Sequence, residues 1–210
     1  MLPYFFVGGE IMTSTEICNL ALSYLGQNSI VDIVDTSSEL ARRCKLHYEH
    51  CKTMVLKEFN WGFAKRQERL VLLDNQLKND YLYAYAYPEK CLFVRRIYQE
   101  KDQSETLQKN RFDIFSLDDN TQMIACNIEN ANIEYTYDVN DGNAYSPHFI
   151  EALSRLLASN LAMSLVGNTA VQQMQYQLYQ VAITKASEQS AKERLRILER
   201  PNSYMSAREM

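Results

Sequence analysis

The chain has 210 residues, 46% hydrophobic and 23% charged, enough to bury roughly 70% of its unfolded surface in one domain or two small ones. That composition excludes a largely disordered protein, and no run approaches the roughly 18 uncharged apolar residues of a membrane span. The net charge of −4 offers no general basic field for neutralising many phosphates, so tight general binding to nucleic acid is not expected.

Residues 1–12 read as an N-terminal arm. Met1 to Val7 is apolar, but it lacks a basic start and an A-x-A site, so no signal peptide is expected, and Met12 is a candidate initiator. Thr13-Ser14-Thr15-Glu16 has capping-box spacing and starts a first helix, with Ile17, Leu20, Ala21 and Tyr24 on one face and Gly26 at its end. Asp35 to Glu39 offers several caps for a second helix running to about Phe59. Its expected buried stripe is Leu40, Cys44, His47, Cys51, Met54 and Val55, flanked by Ala41 and Tyr48. Phe59-Asn60-Trp61-Gly62-Phe63 ends that helix and concentrates three aromatic rings, with Trp61 expected as a buried plug.

From Arg69 to Asp138 the period moves towards two and Tyr, Val, Ile and Phe dominate, which predicts an antiparallel sheet of meander type. Tyr81, Tyr83, Tyr85 and Tyr87 alternate onto one face of a strand closed by Pro88, and Cys91 begins the next. Further strands fit 111–117, 122–126 and 132–137, with Asp118-Asp119-Asn120 as a turn. Ser146-Pro147 then opens a third helix whose apolar face is Phe149, Ile150, Leu153, Leu156, Leu157, Leu161, Leu165 and Val166. Gly167-Asn168 breaks it. A fourth helix runs from about Thr169 to Glu199, with a stripe of Val171, Met174, Leu178, Val181 and Ala182. Its second half is nearly all polar until Leu195, Ile197 and Leu198, so it carries a distal apolar patch beyond its own bundle.

Two helices, a sheet and two helices make an α+β chain: a four-helix bundle (13–66 and 145–200) with an antiparallel β domain (67–144) inserted between helices two and three, and a C-terminal tail (201–210). The tail is too polar to fold alone yet bears Tyr204, Met205 and Arg208, as a segment that orders on a partner would.

Motifs for chemistry are scarce. Cys44, His47 and Cys51 share a helical face and could ligate zinc, but they coincide with the core stripe and no C-x-x-C pair accompanies them. His47-Tyr48-Glu49-His50 has its histidines three apart where zinc peptidases need four. Asp138-Val139-Asn140-Asp141-Gly142 opens like a calcium loop, but its Gly is one position early and Phe149 stands where the bidentate Glu belongs. No Gly-rich phosphate loop, G-x-S-x-G or dinucleotide fingerprint is present. Carboxylate pairs for glycoside cleavage could be drawn from Glu49, Glu58, Asp113 or Glu134, as from any chain with 26 acidic residues. No catalytic, metal or cofactor residue is assigned. The five cysteines (18, 44, 51, 91 and 126) are odd in number and sit in apolar patterns, which suits reduced thiols in a cytoplasm.

The combination of Ile17-Cys18-Asn19-Leu20-Ala21-Leu22-Ser23-Tyr24-Leu25-Gly26, Ile33 with Ala41, Phe59-Asn60-Trp61-Gly62-Phe63, Tyr85-Ala86-Tyr87-Pro88 to Cys91-Leu92, Pro147-His148-Phe149 and Ser203-Tyr204-Met205-Ser206-Ala207-Arg208 resembles the tail tubular protein A family of short-tailed bacteriophages, the head-to-tail adaptors. The resemblance covers about 13 to 208. It implies a non-enzymatic virion protein without cofactors, a dodecameric ring between portal and tail nozzle, assembled in the bacterial cytoplasm, whose lumen passes DNA without sequence-specific binding. Under it, Leu195, Leu198, Tyr204, Met205 and Arg208 are expected to dock on the portal, and Tyr81, Tyr83, Tyr85 and Tyr87 to contact a neighbouring subunit or the nozzle. A cell-wall or polysaccharide hydrolase is the alternative, since some proteins resembling the family are credited with such activity, and a bacterial regulatory or scaffold module is a third expectation.

Overall fold

A computed structural model describes residues 12–73, 81–99, 111–116 and 121–198, with side chains in the last segment as far as Lys192. The chain is mixed α and β. In order it forms α1 (Ser14–Tyr24), α2 (Glu39–Glu58), β1 (Lys65–Arg69), β2 (Leu72–Leu73), β3 (Tyr83–Ala86), β4 (Cys91–Tyr98), β5 (Phe112–Ser116), β6 (Gln122–Cys126), β7 (Asn132–Tyr137), α3 (Pro147–Leu165) and α4 (Thr169–Leu198). Two compact units result, one up to Val55 and from Tyr145 onward, the other Leu56–Ala144. The division falls in the last turn of α2, ahead of the expected break after residue 66, because β1 is a strand of the second unit.

In the first unit the capping box forms as expected. The Thr13 N–H donates to Glu16 Oε2 at 2.6 Å, and the Glu16 N–H donates back to Thr13 Oγ1 at 3.2 Å. Gly26, at φ +65°, lets the Gln27 N–H reach the Leu22 carbonyl at 3.0 Å and closes α1. Asn19 imitates a backbone partner for the following loop, donating to the Ile30 carbonyl at 3.0 Å and accepting from the Ile30 N–H at 2.8 Å. Ser146 caps α3 by accepting from the Phe149 N–H at 3.3 Å, with Pro147 at the first helical position. α3 is the central helix: ten of its 19 residues are buried, including Ala152, Ala158 and Ala162, whose small side chains permit close packing of its neighbours α1 and α4.

Two helices are turned relative to expectation. In α2 the buried apolar positions are Ala41, Cys44, Tyr48, Cys51, Val55 and Leu56; Cys44, Cys51 and Val55 of the expected stripe are among them, while Leu40 and His47 are half-buried and Met54 is exposed. Tyr48 goes inside because its phenol meets that of Tyr145, and Lys52 is buried too, its ammonium 2.7 Å from Glu49. In α4 the inward residues are Gln175, Tyr179, Ala182 and Ala186; of the expected stripe only Ala182 is buried, and Met174, Leu178 and Val181 face solvent. A polar latch decides this rotation. Arg155 donates to Gln175 Oε1 at 2.9 Å and to Glu151 Oε1 at 2.8 Å, its guanidinium lies 3.5 Å from the Tyr24 ring centroid, and the Tyr24 hydroxyl donates to Glu151 Oε2 at 2.9 Å. Drawing Gln175 inward satisfies Arg155 and carries Met174 and Leu178 outward with it.

The second unit has two antiparallel sheets, ordered β1-β7-β4 and β2-β3-β6-β5. The expected meander is corrected: β4 leaves β3 for the other sheet and β7 lies between β1 and β4. Tyr85, Ile124 and Cys126 from one sheet share a core with Val94, Ile97, Ile133 and Tyr135 from the other. β1, Lys-Arg-Gln-Glu-Arg, carries no apolar alternation and starts ahead of the expected sheet; it is an edge strand, where charges are favoured because they discourage further pairing. The expected turn at 118–120 lies outside the described residues.

The rotation of α4 is testable. Met174→Lys should change stability by less than about 0.5 kcal/mol in urea denaturation. Ala182→Lys, at a buried position about two turns beyond Gln175 on the same helix, should cost more than about 2 kcal/mol or prevent folding.

Candidate functional site

The densest polar constellation among the described residues lies on the β1-β7-β4 sheet. β7 alternates Ile133 and Tyr135 into the core with Asn132, Glu134 and Thr136 on the opposite face. Glu134 is only 4% exposed. A buried carboxylate requires donors, and several reach it: Lys65 Nζ and Arg96 Nη2, each at 2.9 Å from Oε2, Gln67 Nε2 at 2.6 Å, and Asn60 Nδ2 at 3.3 Å from Oε1. Burial alone would raise its pKa, but Lys65, Gln67 and Arg96 outweigh burial and hold it down at about 2.

β4 supplies its two arginines through irregular pairing. Val94 faces Tyr135 and Arg96 faces Glu134; the two β7 residues are consecutive whereas their β4 partners are two apart, so Arg95 is an extra, bulged residue. The Arg95 Nε–H donates to Thr136 Oγ1 at 2.8 Å. Its Nη2 donates to the carbonyls of Leu56 at 3.1 Å, Lys57 at 2.8 Å and Phe59 at 2.9 Å, satisfying acceptors that the end of α2 leaves open. Burial pulls the Arg95 pKa below its usual value, opposed by Glu134. Trp61, 3% exposed, stands edge-on to Phe59 at 5.0 Å, in agreement with a buried plug.

The tyrosine face is largely consumed by the unit's own interior. Tyr85 is 1% exposed and donates its hydroxyl to the Ile128 carbonyl at 2.6 Å, which leaves no surface for another chain. Tyr81 is buried and hydrogen-bonded to Asp113, and Tyr83 and Tyr87 pack half-buried against the same core. For portal docking, Leu195 and Leu198 fall on the backbone of α4, but their side chains and all of Tyr204, Met205 and Arg208 lie outside the described residues.

The chemistry-bearing candidates resolve into local roles. Cys44 and Cys51 are fully buried, Cys44 in thiol contact with Cys18, and burial pushes the Cys51 thiol up to about 11 despite a hydrogen bond from Asn160 at 3.1 Å. Burial, with His50 nearby, lowers the His47 pKa. Among the described residues no group of three or more His, Cys, Asp or Glu is placed to hold a metal ion. Asp141 forms a turn with the Asn143 N–H at 3.0 Å, in the link that precedes Ser146. Of the four candidate carboxylates, Glu134 is held ionised, the opposite of what a general acid needs, and Asp113 accepts from Tyr81. What the sequence did not reveal is the Glu134, Arg95 and Arg96 cluster, because its partners are far apart in the chain; the doubled arginine inside an apolar strand was the available signal. Among the described residues no helix is long and apolar enough to cross a membrane.

Glu134 carries a pH signature. Its folded pKa lies below the ordinary value of 4.5, so its contribution, on the order of 3 kcal/mol, is present above pH ~4.5 and fades as pH falls towards ~2. Urea denaturation across that window should show the loss, and Glu134→Gln should remove most of the slope and lower neutral-pH stability by about 2 kcal/mol or more. Arg95→Met should cost a further separate ~2 kcal/mol by stranding three carbonyls. The chain matches no model of a known protein family and no curated protein sequence.

Proposed function

We propose that the protein is a structural virion component, a head-to-tail adaptor that joins the portal to the tail nozzle and contributes to the DNA exit channel. The observation that carries this is the co-occurrence, in one chain and in one order, of the α1 segment Ile17 to Gly26, the aromatic Phe59 to Phe63 stretch after the second helix, and Pro147-His148-Phe149 at the start of the third. In this proposal the helices form a four-helix bundle and the strands an inserted β domain. The protein works by assembly and has no catalytic step.

Two physical features support it. A ring is held by a heterologous contact, in which each subunit meets the next through two different patches. α4 provides surplus apolar surface of that kind: Met174, Tyr176, Leu178 and Val181 are between 38% and 49% exposed, more than a helix with all its partners present would leave open. The Leu195 and Leu198 end of α4 and the tail residues Tyr204, Met205 and Arg208 are assigned to the portal. The remaining proposed partners are further copies of the chain and the nozzle.

Electron microscopy of the purified protein, alone and with its cognate portal, tests the proposal. A ring capping one end of the portal is expected; a monomer under both conditions would overturn it. Removal of residues 201–210 should abolish portal binding while the circular dichroism spectrum and urea midpoint stay unchanged.

A further inference from the structure

The register of the β1-β7-β4 sheet arrays its polar face in three rows. Lys65, Thr136 and Phe93 form the first, Gln67, Glu134 and Arg96 the second, Arg69, Asn132 and Tyr98 the third. Each row contains a cation, and two end in an aromatic ring. Arg95, the bulged residue, adds a fourth cation beside them. Against these four stands one carboxylate, Glu134, buried beneath its partners. A face of this kind is locally positive although the chain carries a net charge of −4, because field depends on where charges sit rather than on their sum.

Phe93 is 45% exposed on β4. Guanidiniums lie over both rings, Arg95 at 4.6 Å from the Phe93 centroid and Arg96 at 4.9 Å from that of Tyr98, so flat cations and rings together form a platform. Gln67, Arg69 and Arg96 are exposed around it, and Gln67 and Asn132 bring amide groups. Cations suit phosphates, rings and guanidiniums suit the faces of unpaired bases, and amides accept or donate to base edges. The centre of the face is closed, with Glu134 and Thr136 4% and 1% exposed where Asn60 and the carbonyls of Leu56, Lys57 and Phe59 meet it. What is open is its rim, Gln67 and Arg69 along β1 and Phe93 and Arg96 along β4 with Tyr98 half-buried beside them, which offers cations and rings to a flexible single strand.

We infer that this face binds single-stranded nucleic acid without sequence preference, with Lys65, Arg69 and Arg96 on phosphates and Phe93 and Tyr98 stacking on bases. The inference is independent of the adaptor proposal, since it rests on the register and charge of one sheet. Three phosphate contacts on a single strand predict a slope of log affinity against log salt of about −2.

Fluorescence anisotropy of the full chain with a labelled oligothymidylate of about 20 nucleotides tests it, over salt from about 50 to 200 mM. Arg69→Glu, at an exposed residue hydrogen-bonded to Asn130, should weaken binding at least ~5-fold and flatten the slope by about 0.7. Lys45→Glu makes the same change of charge at an exposed site on α2 and should stay within about twofold. Phe93→Ala should weaken binding by ~5-fold or more with the slope unchanged, the mark of a lost stack. Absence of binding by the unsubstituted protein, equal losses from Arg69→Glu and Lys45→Glu, or tighter binding of a duplex of the same length would each overturn the inference. So would Phe93→Ala without effect together with competition by polyglutamate as strong as by unlabelled oligothymidylate, which would assign the face to an acidic protein segment.

Discussion

A carboxylate set into the middle of a sheet face and shut off from water has to be surrounded by donors, and Glu134 imposes that requirement on much of the second unit. Lys65 and Gln67 of β1, Arg96 of β4 and Asn60 of the preceding segment all converge on its two oxygens. The edge strand β1, charged at four of its five positions, has little apolar surface to hold it in place; its ion pair and amide contact to Glu134 tie it to the sheet in addition to its ladder. The bulge in β4 belongs to the same arrangement. By adding one residue it lets two consecutive arginines serve this face, Arg96 for the carboxylate and Arg95 for Thr136 and the open carbonyls at the end of α2.

The first unit solves a similar problem on a smaller scale. Arg155, partly buried between α1 and α4, needs acceptors, and it obtains them from Glu151 and Gln175 while its planar group covers the Tyr24 ring. Burial would raise the Glu151 pKa, but Arg155 and Tyr24 outweigh it and hold the carboxyl below its usual value, so the latch keeps its charge. Its consequence is reached through rigid geometry: a helix that turns Gln175 inward must turn Met174 outward. The apolar stripe left on α4 is therefore the product of a polar contact, and it is the surface that a ring-forming subunit would cover with its neighbour.

Functionally, the two units divide the proposed work. The apolar stripe and distal end of α4 suit protein contacts, whereas the β1-β7-β4 sheet offers cations and rings. Of the tyrosines from 81 to 87, Tyr81 and Tyr85 are buried and Tyr83 and Tyr87 half-buried; Tyr85 fills the space between two sheets and gives its hydroxyl to a backbone carbonyl. On the other sheet Phe93 is exposed beside Arg95, and Tyr98 is half-buried beside Arg96.

Helix ends and most strands were legible in the sequence because they depend on neighbours in the chain: the Thr13 and Glu16 box, Gly26 in the left-handed region, Ser146-Pro147, and the alternation of 122–126 and 132–137 are all local physics. The mixed α and β character followed from the same signals. Which face of α2 and α4 turns inward, which strands share a sheet, and the assembly of the Glu134 cluster were decided only by tertiary structure. Each depends on partners tens of residues away, and each sets a few polar contacts against an apolar stripe of similar strength, so that local periodicity alone leaves two answers nearly equal in energy.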